Sequence, residues 1–298
     1  MKRRIIKQGN NSYTLTLPIK WIRANNLTGN EEISVDEEEN TLKIATEKKQ
    51  DKKTITLDLL ENNSRSIRFM IQQVYRQGYD QIIIKYFSEE IYQTLIEVVD
   101  NYFVGLEIVE KKNNSCNLSV IVETNEDKFK MFLRKMFLLI KDSLNSLGTK
   151  EIKSIHYNYL KLYAYQNYCK RYIYSKKSEL SSYDYYSLLS YLLNIHSDID
   201  KFSVSIRTYK NIINLKERIK KIVDFLEAIE RNFYLGKSDV LMKLTEELEV
   251  FREEQLHFKK LEKEDFLVFH YQIEIIRLLY GALSPLLGIV LYESSKRS

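Results

Sequence analysis

The first eighteen residues constrain this chain more than any other stretch. The run Lys2-Arg3-Arg4-Ile5-Ile6-Lys7-Gln8-Gly9-Asn10-Asn11-Ser12-Tyr13-Thr14-Leu15-Thr16-Leu17-Pro18 combines charge, turn chemistry and apolar spacing. Arg3 to Gln8 reads as a short strand. Gly9-Asn10-Asn11 tolerates positive φ and local side-chain bonding, and so reads as a turn. Tyr13, Leu15 and Leu17 alternate with Thr14 and Thr16, the period of a half-buried strand. Pro18 closes that strand and pre-sets φ for a helix from Ile19 to Asn26, which Gly29-Asn30 stops. Ile33 and Val35, then Leu42 and Ile44, form a hairpin around the acidic turn Asp36 to Asn40. The first 23 residues carry six basic side chains (Lys2, Arg3, Arg4, Lys7, Lys20, Arg23) and no acid; Glu31, Glu32, Asp36, Glu37, Glu38 and Glu39 follow. A positive front and a negative back give a small domain a field with a direction.

About 45 residues arranged this way expose too much surface to be stable alone. Two copies that exchange strands would share one core. The run "RRIIKQGNNSYTLTLPIKWIRANNL…EEISV…TLKI" resembles the AbrB/MazE/SpoVT family of swapped-hairpin DNA-binding domains. The resemblance implies that residues 1-46 of two chains interleave into a barrel-like homodimer whose basic residues face double-stranded DNA. Lys2, Arg3, Arg4 and Lys7 would then neutralise phosphates. Gln8, Asn10 and Asn11 would present amides to base edges or phosphates at the turn, and Lys20 and Arg23 would extend the footprint from the helix. The plainer alternative is a dimerisation module with a solvated charged rim. Antitoxins of this fold carry a short toxin-binding tail, not a long further chain.

At 298 residues the chain should hold two or three domains, and 44% hydrophobic with 29% charged residues suits a packed, soluble interior. The net charge of +5 is too modest to argue for nucleic acid by itself, so the local asymmetry makes that case. Cys116 and Cys169 form no disulfide framework or zinc spacing, which points to a reducing cytoplasm. The basic N-terminus lacks the apolar core of a signal peptide. The most apolar stretch, Leu278 to Leu291, is interrupted by Gly281, Pro285 and Gly288 and reads as too short to span a bilayer.

After the charged linker 47–53, the expected order is β-α-β-α-β-β over residues 54-123. Thr54 to Leu59 is a strand, and Ser64 opens a helix that ends at Gly78. Gln81 to Phe87 is a second strand, and Ser88 caps a second helix. Leu106 to Lys111 and Asn117 to Glu123 then pair across Lys112 to Ser115. Arg65 and Arg68 lie near the start of the first helix, where a solvated face is a better reading than an anion site. No Gly-rich phosphate loop precedes either helix.

Residues 126-298 read as six helices. Apolar stripes run from Phe129 to Leu147, ending at Gly148, and from Ile152 to Ile173. Others run from Tyr185 to Ile206, from Ile212 to Phe233 with a stop at Gly236, from Leu241 to Phe251, and from Phe269 to Leu287. The spacing alternates three and four, the repeat of antiparallel bundles. No Gly or Pro separates the third from the fourth. Two sets of three helices behind an AbrB-like head are similar to the PhoU family of phosphate-uptake regulators, in which archaeal proteins join such a head to a helical body. The resemblance implies regulation of phosphate transport or its genes.

The PhoU family places a Glu/Asp-x-x-x-Asp pair on one helix of each repeat. Here Asn194-Ile195-His196-Ser197-Asp198 keeps only Asp198, and Glu274-Ile275-Ile276-Arg277-Leu278 keeps only Glu274. Half a site binds poorly and Arg277 repels cations, so no metal or other cofactor is expected. His196, Asp198 and Asp200 read as a solvated helix face. His156, His196, His257 and His270 are scattered, and no nucleophile motif is present, so catalysis is not expected.

The expected architecture is therefore multidomain α+β: an AbrB-like swapped-hairpin β-barrel dimer, a small βαβαββ domain and an all-α PhoU-like bundle of two three-helix repeats. The expected function is a cytoplasmic, homodimeric DNA-binding transcriptional regulator of phosphate uptake. The alternative is an adaptor for a phosphate transporter or sensor kinase, with the head serving only to dimerise.

Overall fold

Chain contacts divide the protein into two compact units, Met1–Asp51 and Lys52–Ser298. The computed structural model describes residues 3–9, 11–38, 41–46, 52–149, 152–175, 182–206, 215–256 and 263–296. Lys2, Asn10, Glu39, Asn40, the linker from Glu47 to Asp51, Ile212 and His257 lie outside the described residues.

The first unit consists of two hairpins flanking a short helix. Strands β1 (Ile5–Gln8) and β2 (Ser12–Leu15) pair antiparallel, with Ile5 opposite Leu15 and Lys7 opposite Tyr13. Gly9 supplies the positive φ of the turn, +74°. Helix α1 (Ile19–Ala24) starts after Pro18, and strands β3 (Ile33–Glu38) and β4 (Thr41–Thr46) form the second hairpin. The helix stops earlier than Gly29-Asn30. Asn26 takes the left-handed conformation (φ 49°), Leu27 N donates to Ile22 O and Asn26 N donates to Arg23 O. That is a Schellman cap, in which Asn tolerates the geometry more usual for Gly. Gly29 belongs to the next loop. There Glu31 accepts from Thr28 N, Thr28 Oγ1 and Gly29 N at 2.8–3.0 Å.

The second unit begins with the expected β-α-β-α-β-β order: β5 (Thr54–Leu59), α2 (Ser64–Arg76), β6 (Gln81–Tyr86), α3 (Glu89–Tyr102), β7 (Leu106–Lys112) and β8 (Ser115–Val120). The sheet order is β5-β6-β8-β7, with β5 and β6 parallel and the other pairs antiparallel. Helix α2 opens at Ser64 as expected, and Asn63 caps it: its Oδ1 accepts from Arg65 N and Ser66 N. Ser88 caps α3 as expected. On β6, Ile82, Ile84 and Tyr86 point inward and Lys85 outward, so α2 and α3 cover one face of the sheet.

Six long helices follow among the described residues: α4 (Glu126–Thr149), α5 (Ile155–Ser175), α6 (Ser182–Ser205), α7 (Leu215–Tyr234), α8 (Ser238–Leu256) and α9 (Lys263–Ser295). A short 3-10 turn, Ile152–Ser154, leads into α5. Helices α4, α5 and α6 pack on one another, as do α7, α8 and α9; the two sets meet where α4 lies on α7 and α6 lies on α9. One continuous core runs through all six.

Four breaking signals act differently from expectation. Gly148 lies inside α4, with the Ile219 side chain 3.7 Å from where its Cβ would be. Helix α9 runs unbroken through Gly281, Pro285 and Gly288. Its glycines mark close approach to α6: a Cβ on Gly281 would lie 2.6 Å from the Tyr191 ring, and one on Gly288 2.5 Å from the Asp184 carboxylate. Phe266–Ser295 is therefore long and apolar enough to cross a membrane, contrary to the reading of a stretch too short to do so. In this structure 56% of its apolar window is buried inside the protein, as befits the core helix of a bundle.

Candidate nucleic-acid interface

The first unit has no core of its own: none of its described side chains is buried. Ile5, Ile6, Tyr13, Ile19, Val35 and Leu42 are each more than half exposed. Burial of a side chain of this size is worth about 1.5–3 kcal/mol, so a 45-residue unit that leaves six outside lacks most of its stabilising term. The β1–β2 pairing puts Ile5, Lys7, Tyr13 and Leu15 on one face of the hairpin. Ile6, Gln8, Ser12 and Thr14 lie on the other. Lys7 thus shares the apolar face, while Gln8 points the opposite way, so the strand does not present the two side by side.

The remaining expected residues are free in the electrostatic sense. Arg3, Arg4, Lys7, Lys20 and Arg23 are all exposed, and none forms an ion pair with a described residue. Lys20 and Arg23 stand three apart on α1 and share a helical face. Asn11 is exposed at the turn, where the Ser12 hydroxyl donates to Gln8 O. Hydrogen bonds from Gly29, then from Thr28, hold the Glu31 carboxyl at about 2, so this acid is fixed in its own loop.

Residues 6–54 match the family described as antidote-toxin recognition MazE, bacterial antitoxin. This stretch is a MazE/AbrB-type domain. The match runs from the second residue of β1 through α1 and the second hairpin to the first residue of β5. Comparison with curated proteins and with solved structures found no match. The MazE/AbrB-type domain fits a DNA-binding or antitoxin-type regulator and is consistent with dimerisation.

Elsewhere the structure relocates several expected groups. Asp198 accepts from Lys201 at 2.9 Å, and Glu274 accepts from Arg277 Nε and Nη2 at 2.9 and 2.7 Å. Each remaining carboxylate is thus held by a cation of its own helix, Lys201 for Asp198 and Arg277 for Glu274. His196 does not sit on a solvated face: it is fully buried on α6, its Nε2 is 2.9 Å from Ser143 Oγ, and burial lowers it to about 4. Asp200 instead meets the exposed His156, at 3.1 Å. No group of three His, Cys, Asp or Glu able to hold a metal occurs among the described residues. Both cysteines are buried and free, and burial pushes Cys116 up to about 11. Arg65 is solvated, but Arg68 is not: its guanidinium lies 4.8 Å from the Tyr102 ring and 4.9 Å from the Tyr163 ring.

Sequence reasoning missed the seam between the α/β layer and the helices. Gln72 bonds the Tyr163 hydroxyl at 2.7 Å, and Arg76 donates to Asn167 and Gln166. Arg171 donates to the Tyr75 and Tyr79 carbonyls and to Asp80. Lys170 donates to Ser190, and burial, with Arg76 beside it, lowers it to about 7. The period of α2 carried a faint signal: Arg68, Gln72 and Arg76 stand at i, i+4 and i+8 on one face.

Proposed function

We propose that this protein is a non-catalytic, homodimeric DNA-binding regulator. Its MazE/AbrB-type domain grips the duplex, and its helical body carries the regulatory input. The observation that supports this best is the combination at the head: exposed cations that form no ion pair with a described residue, beside apolar side chains that the described residues of this unit leave uncovered. A second copy covers the apolar set, and two-fold symmetry doubles the cations into a surface wide enough for DNA. Arg3, Arg4, Lys20 and Arg23, with Lys2 and Lys7, neutralise phosphates. Asn11, with Gln8 and Asn10, offers amide groups to bases or backbone. A cytoplasmic setting goes with this reading.

The finer assignment, control of phosphate uptake, rests on the likeness of the six-helix body to PhoU regulators; no homologue supports it. The MazE match favours a second reading, an antitoxin-type regulator whose body holds a protein partner. An adaptor role toward a phosphate transporter or sensor rests on the PhoU likeness alone. Fragments of the native genome, selected by the purified chain and sequenced, test the proposal together with the mass of the chain in solution. Recovery of specific promoters by a dimer is expected. A monomer that selects no DNA overturns it.

A further inference from the structure

At one end of the helical body five helices start or stop together. Helix α4 begins at Glu126, α5 ends at Ser175, α6 begins at Ser182, α7 ends at Tyr234 and α9 ends at Ser295. They enclose a cavity of about 590 Å³, within the range of small-molecule sites. Its floor is apolar and buried: Phe129, Leu133, Ile173, Phe233 and Val290. Aromatic rings line the walls. Tyr172 and Tyr185 pack on Phe129 with centroids 5.0 and 5.1 Å away, and Tyr234 carries the Arg134 guanidinium 4.8 Å above its ring.

The charges around this floor are unevenly matched. Glu126 pairs with Lys130 at 2.5 Å, and Glu293 accepts from the Tyr185 hydroxyl at 2.8 Å, so both carboxylates of the lining already have partners inside it. Arg134 forms no ion pair with a described residue; Glu230 feels its field without pairing to it. Arg134 bonds and stacks on Tyr234, which leaves a guanidinium fixed over an aromatic wall and lacking an anion. Such a fork suits a carboxylate or phosphate, and the rings beside it suit a flat apolar body.

We propose that this cavity binds a small planar aromatic anion of mononucleotide size, its ring against the apolar floor and its anionic group on Arg134. The site stands on its own geometry, whatever the head binds.

Calorimetry on the full chain tests it with three probes: adenosine monophosphate, adenosine lacking the phosphate, and inorganic phosphate lacking the ring. Adenosine monophosphate should bind, and each partial probe should bind at least about tenfold more weakly, since each forfeits one of the two contacts. Arg134→Met should weaken the nucleotide by about tenfold or more. Ser294→Trp, at an exposed rim position, should block it. Both variants should melt like the parent and bind DNA like it, which separates this site from the head. The proposal is overturned if millimolar adenosine monophosphate gives no heat, if either partial probe binds as well as the whole, or if both variants bind the nucleotide unchanged.

Discussion

Replacing Arg3 and Arg4 together by Ala is the most direct perturbation of the head. Both side chains are exposed and unpaired among the described residues, so the change should move stability by less than about 0.5 kcal/mol. Binding should change far more. A dimer loses four guanidinium groups at once. Each neutralised phosphate contributes about 0.9 to the slope of log K against log salt, so the slope should become shallower by about 3.6. Extrapolated from the salt at which counterion release vanishes, that difference amounts to roughly 10³- to 10⁴-fold in affinity near 0.1 M salt. Fluorescence anisotropy on a labelled duplex, titrated from low to high salt, reads both quantities. Lys7→Ala is the internal comparison. Lys7 lies on the hairpin face with Ile5, Tyr13 and Leu15, where a second copy is expected to pack, so its slope change should fall below the roughly 1.8 that two free contacts give. Asn11→Ala should alter sequence preference and leave the slope unchanged. A double-arginine variant whose slope matches the parent would remove these residues from the footprint, and with them the electrostatic basis of the proposed function.

Four further outcomes follow from other parts of the structure. Burial holds the His196 imidazole at about 4, below its ordinary 6.5. The unfolded chain therefore takes up this proton first, and stability should fall by roughly 3 kcal/mol from pH 6.5 to pH 4; His196→Gln should flatten that part of a urea-unfolding pH series. Glu31 contributes in the window between its ordinary 4.5 and about 2: its loop contacts are in place above 4.5 and lost as pH falls through about 2. Carboxyl NMR shifts that titrate at the ordinary value would contradict this. Arg171→Met strips donors from the carbonyls of Tyr75 and Tyr79 and from Asp80, and should cost about 2–4 kcal/mol in chemical denaturation. Gly281→Val places carbon where the Tyr191 ring lies, and should cost about 1–3 kcal/mol; an unchanged melting curve would mean that α6 and α9 are free to separate.

Elements whose signals are local were legible in the sequence. Thr54–Leu59 was read to the residue, and Ser88 caps α3 because its hydroxyl meets an amide three residues on. The errors arise where a local signal was overruled by packing. Gly281, Pro285 and Gly288 read as interruptions because isolated helices lose stability there. In α9 the missing Cβ atoms admit Tyr191 and Asp184 of α6, and the resulting contact carries the helix through. Gly29 was the obvious stop for α1, yet Asn26 reached the left-handed region first and closed the helix with backbone bonds, while the Asn25 side chain donates to Trp21 O. His196 was misplaced because spacing gives a helical face but not which neighbour covers it; here Ser143 on α4 does. The candidate interface was legible for the same reason as β5. Its charge and turn chemistry lie within one short run, whereas the cavity at one end of the bundle draws side chains from five helices and leaves no such run.

The division of the second unit into two hydrophobic cores bears on how a helical body can inform a head. Residues of the α/β layer and residues of the six helices form separate clusters. What joins them is largely polar: Arg68 among tyrosine rings, Gln72 and Arg76 on α5 side chains, and Arg171 on the carbonyls that end α2. Apolar cores resist partial opening because each lost contact leaves a void, but a hydrogen-bonded seam can exchange protein partners for water at small net cost. Lys170 and Arg76 sharpen the point. Lys170 is buried and Arg76 beside it half-buried, neither has a carboxylate partner among its hydrogen bonds, and burial lowers both. Below about pH 7, where Lys170 keeps its proton, the two charges weigh against the closed seam and toward the opened one, where water reaches them. The α/β layer follows directly on the MazE/AbrB-type domain in the chain. A body that changes the balance of this seam therefore acts on the segment through which any signal along the chain must pass, and the Arg171→Met variant measures how close to balance it stands.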